Sequence, residues 1–270
     1  MNTFTCGMIG TGHMGGALAR AICTGMDPEQ VLLANRTPKK AELLAQELGC
    51  HTGTNEEVAE KAKFIFLGVK PHIMGEVLSQ ISPILKKRTD RFVLVSMAAG
   101  LTMERLAEMA GGNYPILRIM PNTPVAVGQG IVFYAYNDQV FAGDLAVFLQ
   151  TMHPAGLVDR LEERLMDAGC TVAGCGPAFA AMFMEDIADG GVACGLPRDK
   201  AYQYAAQMML GTAQLALQSG QHPAAMKDAV CSPGGATIRG VQALEDGAFR
   251  AAVIRAVCAA FDQTRKLGEN

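Results

Sequence analysis

Ser232-Pro233-Gly234-Gly235-Ala236-Thr237-Ile238 is the stretch of this 270-residue chain best suited to grip an anion. It lies between two helical patterns, so its backbone must turn sharply and then open a helix. Pro233 fixes one dihedral, and Gly234 and Gly235 accept φ > 0 with nothing projecting above them. A row of bare N–H groups then stands at a helix N-terminus, where donors and dipole both attract negative charge. Ser232 and Thr237 add hydroxyls to that concavity, and a small carboxylate fits it. The contacts expected for it are Ser232, Gly234, Gly235, Ala236 and Thr237. The same residues also make an ordinary helix–loop–helix turn with Thr237 as N-cap, and spacing alone does not separate the two readings.

A second turn, Gly10-Thr11-Gly12-His13-Met14-Gly15, follows the first strand pattern and opens the first helical one. The first glycine allows the tight turn, the second lets a pyrophosphate approach the backbone, and the third permits close helix–strand packing. Gly10, Gly12, His13, Met14 and Gly15 are therefore the expected dinucleotide contacts, with no chemistry assigned to the His13 side chain. Where an NAD enzyme usually places a carboxylate for the ribose 2′-OH, this chain has Ala34-Asn35-Arg36-Thr37. A carboxylate there would repel a 2′-phosphate. Arg36 can pair with one, and Asn35 and Thr37 can hydrogen-bond it, which points to NADP. Further strand ends should line the same crevice: Val69, Lys70 and Pro71, then Ala98 among small residues, then Pro121 with Asn122 offering its amide. Arg118, inside an apolar strand, reads as a structural ion-pair partner.

These sites need elements to hold them. Apolar runs at Phe4–Ile9, Val31–Ala34, Phe64–Val69, Phe92–Ser96, Ile116–Met120 and Ile131–Tyr134 alternate with helical patterns. Met14, Ala17, Leu18, Ala21 and Ile22 share one helix face, and Ala41, Leu44, Ala45 and Leu48 another. Thr37-Pro38 starts that second helix and Gly49 stops it. Continuous apolar strands separated by helices imply a doubly wound, mainly parallel α/β sheet covered on both sides. From Glu162 on there are only helices rich in Ala and Met, so the expected division is residues 1–161 and 162–270. The segment Pro177–Cys194 is apolar nearly all round and must be buried on all sides, which predicts packing against a second subunit.

Composition narrows the remaining classes. A net charge of −3 gives no reason to expect nucleic acid or an anionic membrane as partner. The eight cysteines are scattered with no metal-ligand spacing, so no metal is expected and all read as reduced thiols of a cytoplasmic protein. No signal peptide and no uncharged run of membrane-spanning length are evident.

In this order the motifs resemble the pyrroline-5-carboxylate reductase family along essentially the whole chain. They are Gly10–Gly15, Asn35-Arg36-Thr37, Val69-Lys70-Pro71, Met120-Pro121-Asn122-Thr123-Pro124, Gly174-Cys175-Gly176-Pro177-Ala178, Gly195-Leu196-Pro197 and Ser232–Ile238. Cys175 stands where Ser is usual, and Ala236 where many members have Thr. The resemblance implies an N-terminal Rossmann domain, an all-helical C-terminal dimerisation domain intertwining two subunits, and larger homo-oligomers of such dimers. It also implies NADPH-dependent reduction of 1-pyrroline-5-carboxylate to proline, the last step of proline synthesis, with NADH as a possible substitute. In that setting the 232–237 loop grips the carboxylate, and Thr237 serves the ring nitrogen as hydrogen-bond partner or proton relay. If the subunits interlock, the two halves of one site come from different chains. Two rival readings remain: a β-hydroxyacid dehydrogenase, which needs a lysine on the helix after Gly176-Pro177, and a non-catalytic NADP sensor.

Overall fold

The computed structural model describes residues 3–268. It forms two compact units. One runs up to Gly174 and takes in the residues from Phe261 on; the other is Cys175–Ala260. The first domain expected from sequence ends at residue 161, but the first unit continues through the short helical turns that follow.

The first unit is built on a single sheet of β1 (Phe4–Ile9), β2 (Val31–Ala34), β3 (His51–Thr52), β4 (Ala62–Leu67), β5 (Val93–Ser96), β6 (Ile116–Pro121), β7 (Gly130–Tyr136) and β8 (Gly156–Arg160). Their order is β3-β2-β1-β4-β5-β6-β7-β8, and only the β6–β7 pair is antiparallel. Alternation along each strand splits the apolar runs between two faces. Met8, Phe64, Phe66, Val93 and Val95 point to one core, where Leu18 and Ile22 of α1 (His13–Gly25) and Leu44 of α2 (Pro38–Leu48) meet them. Ile9, Ile65, Leu67 and Leu94 point to the other, beneath α3 (Asn55–Lys61), α4 (Pro71–Leu85) and α5 (Met103–Ala110). This is the doubly wound arrangement, with α6 (Ala142–Met152) and the one-turn α7 (Met166–Cys170) completing the unit.

Several boundaries differ from the sequence reading. The strand expected at Phe64–Val69 sits two residues earlier, because Gly68 leaves the sheet after its N–H bonds Ile9 O at 2.8 Å. β3 and β8 carry no sequence signal. The first is two exposed residues, and the second is an edge strand whose Leu157 stays 58 % exposed. Thr37 and Gly49 bound α2 as expected, Gly49 at φ 75°, but the Thr37 hydroxyl caps nothing.

Cys6 on β1 is fully enclosed, and burial pushes its thiol up to about 12, a hydrogen bond with Thr151 opposing the rise. The raised value keeps it a neutral, unreactive thiol at neutral pH. Alkylation of the native protein at pH 8 is therefore expected to leave Cys6 unmodified, and peptide mass spectrometry should find the label there only after unfolding.

The second unit is all helix: α8 (Gly176–Ala193), α9 (Arg198–Ser219), α10 (Pro223–Ala229), α11 (Ala236–Asp246) and the first part of α12 (Phe249–Gly268). Its own core is small: Ala188, Ala201 and Ala205, with Met184 and Val192 against them. Of the largely apolar α8 only Ala188 is buried, and Met182, together with Leu210, Leu215 and Leu217 of α9, remains more than half exposed. The burial that α8 calls for is not supplied by this chain alone. The continuous helical stretch Glu163–Ala193 is long and apolar enough to cross a membrane by length and composition, at mean hydropathy 1.2, but it is not an uncharged run, since Asp167, Glu185, Asp186 and Asp189 lie within it. A helix covered by a second subunit has the same composition.

Candidate functional site

Two groups of residues have the makings of a site, one in each unit. In the first, parallel register brings the carboxyl ends of four strands into one row. Ile9 lies beside Ala34 and Leu67, and Leu67 beside Ser96. Gly10, Asn35, Gly68 and Met97 therefore leave the sheet side by side, at the point where strand order reverses between β1 and β4. Open parallel sheets bind ligands at that point.

The glycines there are explained by what a side chain would meet. Gly10 has φ 98°, and a Cβ on it would lie 2.7 Å from Gly68 O. A Cβ on Gly15 would land on the Gly10 carbonyl oxygen. Gly12 is different: nothing lies within 4 Å of where its Cβ would be. That open space fronts the N-terminus of α1, which has no side-chain cap and no acidic residue in its first turn. Donors are thus left for an anion, and the cradle fits a dinucleotide pyrophosphate.

Arg36 is exposed, and no carboxylate among the described residues pairs with it. Asn35, expected to help hold a 2′-phosphate, is already committed within the protein. Its Oδ1 accepts from Thr11 N at 3.1 Å and its Nδ2 donates to Thr37 O at 3.1 Å. It ties the glycine turn to the end of β2. Asn122 likewise does not offer its amide outward. The residue is buried, its Nδ2 donating to Ala173 O at 2.9 Å and its Oδ1 accepting from Ile131 N at 2.8 Å. The reading of Asn122 as a ligand-facing amide is corrected: it locks β7 and the turn at Ala173 to the end of β6. Ala98 and Pro121 are buried frame positions. Val69 packs against the core, Lys70 is the exposed residue before α4, and Pro71 opens that helix. His13 is exposed at the first position of α1, and Met14 packs inward. Arg118 is the structural ion-pair partner expected, its guanidinium bonding Asp167 at 2.9 Å and Glu163 at 3.4 Å with 3 % side-chain exposure.

The sequence reading passed over Thr11, whose buried hydroxyl has no partner among the described residues, and the cleft beside it between α1 and α2. Neither the chain position nor the residue type signals either one.

In the second unit, the residues after α10 turn tightly. Gly235 N bonds Ser232 O at 3.0 Å, with Pro233 second and Gly234 third at φ 72°, the pattern of a turn that demands glycine there. A Cβ on Gly235 would collide with the Ser232 hydroxyl. α11 begins at Ala236 with Gly235 as N-cap, no side-chain cap and no acid in the first turn. Thr237 lies inside the helix rather than at its cap, so the ordinary-turn reading with Thr237 as N-cap does not apply. Ser232 and Thr237 are both exposed, and neither hydroxyl has a protein partner among the described residues. The start of α11 thus has N–H groups without a side-chain cap, and two exposed hydroxyls lie in the same short segment. Among the described residues no three His, Cys, Asp or Glu side chains converge as a metal site would need.

Residues 163–267 match the family model described as pyrroline-5-carboxylate reductase dimerisation. Residues 5–100 match one described as NADP oxidoreductase coenzyme F420-dependent. The chain is 39 % identical over 267 residues to a pyrroline-5-carboxylate reductase of Escherichia coli, covering 98 % of each. It is 37 % identical over 268 residues to pyrroline-5-carboxylate reductase 2 of Homo sapiens, covering 97 % of this chain and 83 % of the relative. Among solved structures, the pyrroline carboxylate reductase of Plasmodium falciparum with NADP bound superposes with TM-score 0.88 at 32 % identity, covering 99 % of both chains.

Proposed function

The chain belongs to the pyrroline-5-carboxylate reductase family, and from that premise we propose how its residues divide the work of reducing 1-pyrroline-5-carboxylate to L-proline. NADP is the cofactor, and when bound in its reduced form it supplies the hydride that the ring carbon of the C=N bond accepts. Gly10, Gly12 and the first turn of α1 hold the pyrophosphate, and Arg36 neutralises the 2′-phosphate. Lys70 extends from the crevice rim.

The turn at 232–235 and the start of α11 hold the substrate carboxylate through backbone N–H groups and the Ser232 hydroxyl. Thr237 then stands at the ring nitrogen and keeps a proton there as the π-electron pair moves onto it. A protonated imine accepts hydride readily, so no strong acid or nucleophile is demanded of the protein. Orientation supplies most of the acceleration, a contribution on the order of 7–11 kcal/mol at best. The observation that carries this reading is the uncapped start of α11 beside two hydroxyls without protein partners.

The deciding assay follows NADPH absorbance with the cyclic imine, beside 3-hydroxyacids with oxidised cofactor. Turnover with the imine alone supports the assignment, and turnover with hydroxyacids alone overturns it. α8, which would have to carry the catalytic lysine of a β-hydroxyacid dehydrogenase, has none. A finer test uses Gly235→Ala, whose new methyl would displace the Ser232 hydroxyl. We expect the KM for the imine to rise about tenfold, the loss of one hydrogen bond to a charged group, with little change in NADPH affinity. Adding Ser232→Ala to that variant should bring little further loss.

A dimerisation domain is present. That the two subunits intertwine is part of the proposal, supported by the apolar side chains left bare on α8 and α9. A cytoplasmic location is also proposed. No disulfide joins any of the cysteines among the described residues, as expected in a reducing compartment, and cell fractionation tests it.

A further inference from the structure

Between α1 and α2 lies an open cleft of about 410 Å³, lined among others by Thr11, Gly12, His13, Arg20, Lys40 and Glu47. It adjoins the glycine turn, so whatever binds over Gly12 borders it. Its two strong cations are not equivalent. Arg20 is held by Glu47 in a two-point pair, Nε to Oε1 at 2.9 Å and Nη2 to Oε2 at 2.6 Å, so its charge is already answered. Lys40 is exposed, and no carboxylate among the described residues pairs with it.

Lys40 is also badly placed for the helix that carries it. It lies in the first turn of α2, where the helix dipole disfavours a cation, and that turn has no acidic residue to offset it. Neither helix stability nor a surface ion pair accounts for the lysine. A bound anion does. The wall of the same cleft carries Thr11, 9 % exposed, whose hydroxyl oxygen is buried without a partner among the described residues. Asn35 cannot turn its Oδ1 away from Thr11 N without releasing the glycine turn.

We propose that Lys40 is the second cation, with Arg36, that grips the 2′-phosphate of NADP, and so sets the preference for NADPH over NADH. Asn35 is a positioning residue for the glycine turn rather than a phosphate ligand. The inference rests on NADP as the cofactor and on Arg36 at its 2′-phosphate.

Isothermal titration of the full-length protein with NADP⁺ and with NAD⁺ tests it through binding alone. Lys40→Gln should raise the Kd for NADP⁺ about tenfold, the loss of one charge-assisted contact, and leave that for NAD⁺ unchanged. Asn35→Ala should weaken both nucleotides by a similar factor. If Lys40→Gln weakens both equally, the lysine serves the pyrophosphate and the proposal is overturned; no change in either overturns it too. Arg36→Gln separates this from the underlying reading. Lost NADP⁺ preference in Arg36→Gln alone removes only the lysine, whereas loss in neither variant removes the 2′-phosphate from the end of β2 as well. Circular dichroism of each variant establishes that it is folded.

Discussion

Thr237→Ala is expected to lower kcat for imine reduction by on the order of 100-fold, the scale on which a positioned proton donor acts. The Kd for NADPH should stay within about twofold, since the cofactor groups lie on other residues. Stability should change by no more than about 0.5 kcal/mol, because the hydroxyl makes no hydrogen bond among the described residues and lies near the start of a helix. Thr237→Ser keeps the hydroxyl on a smaller side chain and should recover most of the rate. If the alanine variant turns over as fast as the parent, the threonine has no part in the chemistry. If serine fails to rescue, the methyl group rather than the hydroxyl is what counts, and the proton-holding role is lost.

The second large effect is expected at Gly12. Gly12→Val places a branched side chain in space where the structure has no atom within 4 Å of the Cβ position. The fold should therefore tolerate it, at a cost of about 1 kcal/mol for a poorer residue at the helix cap. The pyrophosphate would be excluded, and with it about two hydrogen bonds to a charged group, so NADPH affinity should drop by 100-fold or more, on the order of 3 kcal/mol. Gly15→Ala provides the contrast. Its methyl would land on the Gly10 carbonyl oxygen, a backbone atom that cannot move aside, so this variant should lose about 2–4 kcal/mol of stability. Thermal melts with and without NADPH separate the two cases. A Gly12→Val protein that melts as the parent does and still gains the parent's stabilisation from NADPH would remove the glycine turn from the cofactor site.

The sheet was legible because its central strands are buried on both faces and read as unbroken apolar runs. Val31–Ala34 and Phe4–Ile9 are found at their expected bounds for that reason. β8 escaped because an edge strand need bury little, and Asp159 and Arg160 break any apolar pattern in it. The glycines of both turns were legible as types, since little besides tight turning or close approach favours a residue without a side chain. The amides were not. Asn35 and Asn122 are polar residues at strand ends, as ligand contacts often are, but their direction is set by Thr11 N and Ile131 N, brought near only by the folded chain. Lys40 was hidden for a related reason. Its importance depends on which helix α2 faces across a cleft, and residue spacing along α2 carries no information about α1.

The path of the chain constrains how the protein is made. The last helix begins in the second compact unit and ends in the first, where Thr264 is buried. A nascent polypeptide emerging from the ribosome thus cannot finish its first compact unit until residues 261–268 have been made. Disrupting residues 261–268 should harm a part of the molecule whose other residues were synthesised some ninety codons earlier, roughly the 86 residues of Cys175–Ala260.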